Sequence, residues 1–430
     1  MPTNTLAASD PGFEARTYRR VTWRLLPVLF VCYVVAYLDR VNVGFAKLQM
    51  LADVHMSDTA YGVGAGIFFI GYFAFEVPSN LILHRVGARP WIARIMITWG
   101  VLSSLMMFVR GTGSFLVLRF LLGMAEAGFF PGIVYYLMHW YPGSRRGRII
   151  SMFLTGVAIS GVVGGPLSGW ILERLSGSHG LAGWQWLFLL EGIPSVVMGV
   201  VVLAYLEDSV ASAAWLSDAE RALLQRNLAR EPRGEEHASV WATLRNPTVL
   251  FLAGCDFCFV MGLYGITFWL PQLIRTMGVE DAARLGVLSG IPSAVAAVAM
   301  VLAGISSDRT GDRRWHLVGG AVIGAVGLVV AGTFGSHLAI GLTAISAALA
   351  GALTNIAIFW TLPTAALRGV SAAAGIAAIN SVGNLAGFLS PYLIGASKDA
   401  TGDAASGLYV IAAFMLVGAG LAVFATPPRT

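Results

Sequence analysis

The chain has 430 residues, 57% of them apolar and only 12% charged, with 51 glycines. An average soluble domain carries about 25% charged residues, so this chain lacks the polar surface of a soluble enzyme. Its 28 Lys and Arg against 23 Asp and Glu read first as membrane topology and only then as attraction to nucleic acid.

The first residues are polar and basic. The apolar run from Leu25 is too long for a signal-peptide core and lacks a small-x-small cleavage site, so it should persist as the first membrane helix. About 20 apolar residues cross a bilayer. Twelve candidate spans follow, near 25–46, 60–83, 91–109, 114–138, 149–172, 185–206, 248–274, 285–305, 316–334, 338–362, 373–397 and 407–426. Basic residues cluster at 16–24, 85–94, 145–148, 221–245 and 309–314, whereas Lys47, Arg110, Arg174, Arg275, Arg284 and Lys398 mark the opposite side. The positive-inside rule then makes both termini cytoplasmic. The loop 207–247 lies on that side too. It carries a helix opened by a capping box, Ser217 and Glu220, and stopped by Pro232, and reads as a tether between residues 1–206 and 248–430.

The loop after span 2 reads Asn80-Leu-Ile-Leu-His84-Arg85-Val-Gly87-Ala-Arg89, and the loop after span 8 reads Gly304-Ile-Ser-Ser-Asp308-Arg309-Thr-Gly311-Asp-Arg313. Arg, Gly and Arg recur at an offset of 224, and Gly165-Pro166 and Ser390-Pro391 echo each other at 225. The expected fold is therefore an all-α membrane protein, with twelve transmembrane helices in two pseudo-symmetric six-helix halves around a central cavity. In such designs the site sits at the midplane and the halves rock around it.

Six charged residues inside spans are the candidates: Asp39, Arg40, Glu76, Arg119, Glu126 and Asp256. Each costs about 2.5–3.5 kcal/mol near the bilayer centre, so they should face water or one another. Without Asp39 and Arg40, span 1 is only the 14 residues from Leu25 to Leu38, about 21 Å of helix and too short to cross. Arg119 and Glu126 share a helical face, with Gly123 between them leaving room for a ligand or for span 1. Tyr33, Tyr37 and Arg40 follow one face of span 1; Tyr72 and Glu76, and Asn380 and Asn384, are each one turn apart. Arginine keeps its charge and presents a planar fork that matches a carboxylate, so Arg40 and Arg119 are the anion-binding candidates, with Arg40 in direct contact. A carboxyl removed from water is easier to neutralise than to keep charged, so Asp39 and Glu126 are expected to carry protons. Asp256 has no nameable partner and reads either as a relay in the second half or as packing. Cys255-x-x-Cys258 has the spacing of a redox motif without its βαβ context. No zinc spacing, Gly-x-Ser-x-Gly elbow or P-loop occurs, so neither an enzyme nor a metal or cofactor is expected.

The Gly304–Arg313 signature and its copy after span 2 resemble the loop motif of the major facilitator superfamily. Tyr37-Leu-Asp39-Arg40-Val-Asn42, Gly71-Tyr72-Phe-Ala-Phe-Glu76-Val-Pro78-Ser-Asn80 and Leu118-Arg119-Phe-Leu-Leu-Gly123-Met-Ala-Glu126-Ala-Gly128-Phe-Phe-Pro131-Gly resemble the anion:cation symporter family. The resemblance implies import of organic acids such as tartrate, phthalate, hydroxyphenylacetate or sugar acids together with protons. It implies substrate contacts at Arg40, Arg119, Tyr72, Tyr37, Trp360 and Asn380, and proton coupling at Asp39 and Glu126. Arg85, Gly87, Arg89, Gly304, Asp308, Arg309, Gly311 and Arg313 are implied to form the gating loops, with His84 and Asn80 standing where the superfamily has Asp and Gly. The expectation is a monomeric carrier in a bacterial cytoplasmic membrane, whose partners are a small organic carboxylate, protons and the lipid bilayer. An anion exchanger, an efflux carrier and a non-transporting sensor are the alternatives.

Overall fold

The computed structural model describes residues 11–230, 245–366 and 370–424; Pro232, the expected stop of the linker helix, lies outside them. Every regular element among the described residues is a helix: α1 (Pro11–Asp53), α2 (Asp58–Val86), α3 (Ala88–Leu105), α4 (Thr112–Glu126), α5 (Phe129–Met138), α6 (Gly143–Leu154), α7 (Gly156–Arg174), α8 (Gly183–Tyr205), α9 (Asp218–Ala229), α10 (Pro247–Thr276), α11 (Ala282–Thr310), α12 (Arg314–Phe334), α13 (Leu338–Phe359), α14 (Thr361–Ala366), α15 (Val370–Thr401) and α16 (Ala405–Phe424). Eleven helical segments among the described residues are long and apolar enough to cross a membrane. The expected eleventh span corresponds to α15, which is outside that set. Large apolar side chains such as Leu302, Val298 and Val326 stand exposed on the outer faces, as a hydrocarbon solvent permits and water would not.

Three expected spans are each built from two helices: α4 and α5 meet at Ala127–Gly128, α6 and α7 at Thr155, and α13 and α14 at Trp360. A break inside a membrane frees backbone groups that must find protein partners. At the first break the Ser79 hydroxyl of α2 donates to the Ala127 carbonyl (2.6 Å) and accepts from the Trp91 indole (3.0 Å).

Among residues 11–205, α3 packs along α8, α2 along α4, and α1 against α7 and α8; among residues 247–424, α12 packs on α13 and α16, α11 on α13, and α10 on α15 and α16. The two sets meet where α2 lies along α15 and α7 along α11, with α1 touching α10. The second seam is a contact of bare backbone: a Cβ on Gly165 would lie 2.5 Å from the Gly286 carbonyl oxygen. Gly165→Val should therefore force α7 and α11 apart. The expected cost is about 1–3 kcal/mol, read as a lower Tm of the lipid-embedded protein; an unchanged Tm would contradict this seam.

The end of the bundle that carries both lysines is tied by charge. Lys47 of α1 pairs with Asp58 (2.6 Å) and lies 3.1 Å from the Trp269 ring centroid of α10, while Lys398 of α15 reaches the other oxygen of Asp58 (2.8 Å). The Asp399 carboxylate caps α2 by accepting from the Thr59 amide (2.7 Å). The ends of the apolar runs place Lys47 and Lys398 in loops, but both sit within helices because α1 and α15 outrun their apolar cores.

The capping box forms as expected: Ser217 caps α9, and its amide donates to Glu220 (2.9 Å). Arg20 of α1 donates to the same carboxylate (2.9 Å) and docks the linker helix. Slight burial opposes the charged form of Glu220, but the bonds from Ser217 and Arg20 outweigh it and hold this carboxyl below the usual range.

Candidate functional site

Adjacent residues on a helix point about 100° apart, and this separates Asp39 from Arg40. Arg40 faces the centre. Its guanidinium pairs with Glu126, the last residue of α4, and donates to the Tyr264 hydroxyl of α10 (3.2 Å). The rings of Tyr37, Phe68 and Tyr72 surround it at 5.4, 5.5 and 5.9 Å from their centroids, a cage that stabilises a cation electrostatically. Its side chain keeps 13% exposure against 1% for Glu126, so Arg40 is the accessible member of the pair. Glu126 ends a helix, where unpaired carbonyls disfavour an added negative charge. Holding it ionised therefore depends on Arg40.

Arg119 is fully buried and spends its fork elsewhere. Its Nε donates to the Gly64 carbonyl (3.1 Å) and Nη2 to the Ala65 carbonyl (3.0 Å) of α2, beside the Phe68 ring. It acts on Glu126 only through space. The room expected at Gly123 is taken by α2, since a Cβ there would overlap the Phe68 carbonyl. Neither a ligand nor α1 fits. Asp39 turns away from the centre, accepting from Ser103 of α3 (2.8 Å), Ser195 of α8 (2.8 Å) and Asn42 (3.4 Å). The expected single pocket of two arginines and two acids is thus divided: Arg40 and Glu126 meet, Arg119 is bound to backbone, and Asp39 lies between α1, α3 and α8.

The remaining expected contacts fall around this pair. Tyr37 and Tyr72 belong to the cage; Tyr33 packs at a tilt against Phe153, with ring centroids 4.2 Å apart, and continues the aromatic face of α1. Asn380 and Ser381 of α15 donate to the two oxygens of Glu76 on α2 (3.2 and 2.9 Å), so Asn380 ties two helices across the α2–α15 seam. Trp360 sits half-buried at the break between α13 and α14, against Phe359. Asp256 is buried against Gly383 of α15, and its Oδ1 has no hydrogen-bond partner. Cys255 and Cys258 are free and buried.

The repeated loops share a backbone feature: Gly87 has φ 100° and Gly311 φ 67°, conformations that favour glycine. Their side chains differ. Asp308 pairs with Arg313 (2.6 Å), and Arg313 also donates to Ser307 (2.9 Å), closing that loop on itself. In the first loop, where His84 replaces the acid, the Arg89 amide donates to Asp208 and its Nε to the Leu203 carbonyl (both 2.9 Å), while the His84 ring packs edge-on against Tyr135. Asn80 donates to the Glu76 carbonyl (2.9 Å). Arg85 and Arg309 are exposed, and Gly304 is half-buried at the end of α11.

Two residues escaped the sequence reading. Glu191 of α8 is buried inside the apolar run Trp186-Leu-Phe-Leu-Leu-Glu191, a signal as plain as that of Glu126. Tyr264 lies in a span full of aromatics, and nothing in its spacing distinguishes it.

Residues 29–391 match the model of the Major Facilitator Superfamily. The chain is 47% identical over 423 residues to the metabolite transport protein NicT of Pseudomonas putida, covering 98% of this chain and 96% of that one. It is 48% identical over 408 residues to a protein of Agrobacterium vitis named for tartrate transport, covering 94% and 90%, and 42% identical over 409 residues to a quinolone resistance transporter of Acinetobacter baumannii, covering 94% of each. Its fold superposes with a TM-score of 0.76, at 17% identity and over 97% of this chain and 98% of the other, on a bacterial homologue of the human lysosomal transporter Spinster in an inward-facing, unoccupied conformation. The sequence signatures, the helical bundle with its paired central charges and these matches agree: the chain is a multi-pass membrane protein that belongs to the major facilitator superfamily.

Proposed function

We propose that this chain is a secondary active transporter that imports an organic carboxylate in symport with protons by alternating access. In this reading twelve spans form two halves, residues 1–206 and 248–430, joined by the linker 207–247, with both termini cytoplasmic. The observation that carries it is the placement of Arg40: a caged, partly accessible guanidinium on α1 that bonds Glu126 of α4 and Tyr264 of α10 at once. A substrate carboxylate can take the place of Glu126 on the arginine fork when Glu126 gains a proton. Loss of the substrate lets the internal pair re-form and expels that proton. The likeness to tartrate and metabolite transporters supports the substrate class.

The quinolone resistance relative favours a second reading, an efflux carrier or exchanger using the same arginine. A thermal-shift screen of the purified protein separates recognition of a carboxylate from recognition of an apolar drug body, because a ligand at 100 times its Kd stabilises by about 2.7 kcal/mol. Organic acids should raise the Tm, more so at lower pH, while their amides should not. Equal stabilisation by acid and amide would overturn the carboxylate reading.

A further inference from the structure

A second set of buried acids lies away from Arg40. Helices α1 and α8 are joined by two polar rungs. Ser195 of α8 donates to Asp39 of α1 (2.8 Å), and one turn along, Asn42 lies within hydrogen-bonding reach of Glu191. Ser103 of α3 donates to Asp39 (2.8 Å) and Ser168 of α7 to Glu191 (2.7 Å). Asp39 and Glu191 are 1% and 3% exposed. Among the described residues no Lys, Arg or His bonds to either acid; the groups that face them are these three serines, Asn42 and the Trp99 indole of α3, with the charges of Arg119 and Glu126 acting on Asp39 through space.

The donors are unequally shared. Asp39 receives hydroxyl bonds on both oxygens and a longer bond from Asn42. Glu191 receives one bond, on Oε1. Its Oε2 and the Oδ1 of Asn42 have no partner at all. An ionised Glu191 would leave a bare anionic oxygen in a dry site, a costly arrangement for a carboxyl. A proton on Oε2 removes that charge and supplies the missing donor.

We infer that Glu191 is a protonation site in its own right. Two close acids titrate as a unit, so a proton gained by either is felt by both. In transport this deepens the proton-coupled reading and rests on it; the protonation itself is a property of the resting protein. It is tested on the lipid-reconstituted protein without substrate or gradient, by the infrared C=O stretching band of protonated carboxyl groups at neutral pH. Glu191→Gln should remove one component of that band. Ser168→Ala, a milder change that leaves Glu191 in place, should shift the same component by deleting the bond to its other oxygen. A spectrum unchanged in Glu191→Gln, or unchanged in Ser168→Ala if the first variant cannot be purified, would overturn the inference. Either result leaves the carboxylate reading untouched, since no substrate is present.

Discussion

Arg40→Ala is expected to abolish carboxylate binding. The arginine fork offers a bidentate, charge-assisted pair of bonds, each worth about 1.5–3 kcal/mol, held in a cage of Tyr37, Phe68 and Tyr72. Losing both corresponds to a fall in affinity on the order of a hundredfold or more. The variant also strips Glu126 of its ion pair, so the vacated site acquires no compensating cation. Arg40→Lys keeps the charge without the fork and should fall between the two. Calorimetric titration of the purified variants with an organic acid reads these differences directly. Affinity retained in Arg40→Ala would remove Arg40 from the binding site.

Glu126→Gln is the complementary change. The amide cannot accept and release a proton, yet it is nearly isosteric, so Arg40 stays in place and is permanently available to the substrate. Uptake driven by a pH gradient into proteoliposomes should fall to simple equilibration, while exchange of internal for external substrate continues. Arg119 does not rescue coupling, because its fork is bound to the Gly64 and Ala65 carbonyls. Continued accumulation in Glu126→Gln would show that the obligatory proton travels elsewhere.

Much of the architecture was readable from residues alone. Apolar runs located the crossings, the Arg-Gly-Arg echo paired two loops whose glycines share a positive φ, and charges inside apolar runs pointed to Arg40 and Glu126. The unreadable parts depend on what packs against each helix. Gly123 looked like space for a ligand, but small residues in membrane helices equally admit a neighbouring backbone, and α2 took that place, drawing Arg119 with it. Asp39 and Arg40 are sequence neighbours, yet their helical rotation puts them in separate environments; which side faced the centre depended on α3 and α8 supplying Ser103 and Ser195. Lys47 read as a loop residue because the apolar run ends before it, although α1 continues to Asp53 and the Trp269 ring shelters its charge.

The central claim is that a carboxylate and Glu126 compete for one guanidinium, so that binding the first requires protonating the second. By linkage, a group protonated on binding takes its proton from solution. Calorimetric binding in buffers of different ionisation enthalpy counts those protons on the unmodified protein. The account predicts uptake of about one proton per carboxylate bound at neutral pH, lost in Glu126→Gln. Binding with no proton uptake in the unmodified protein would contradict it.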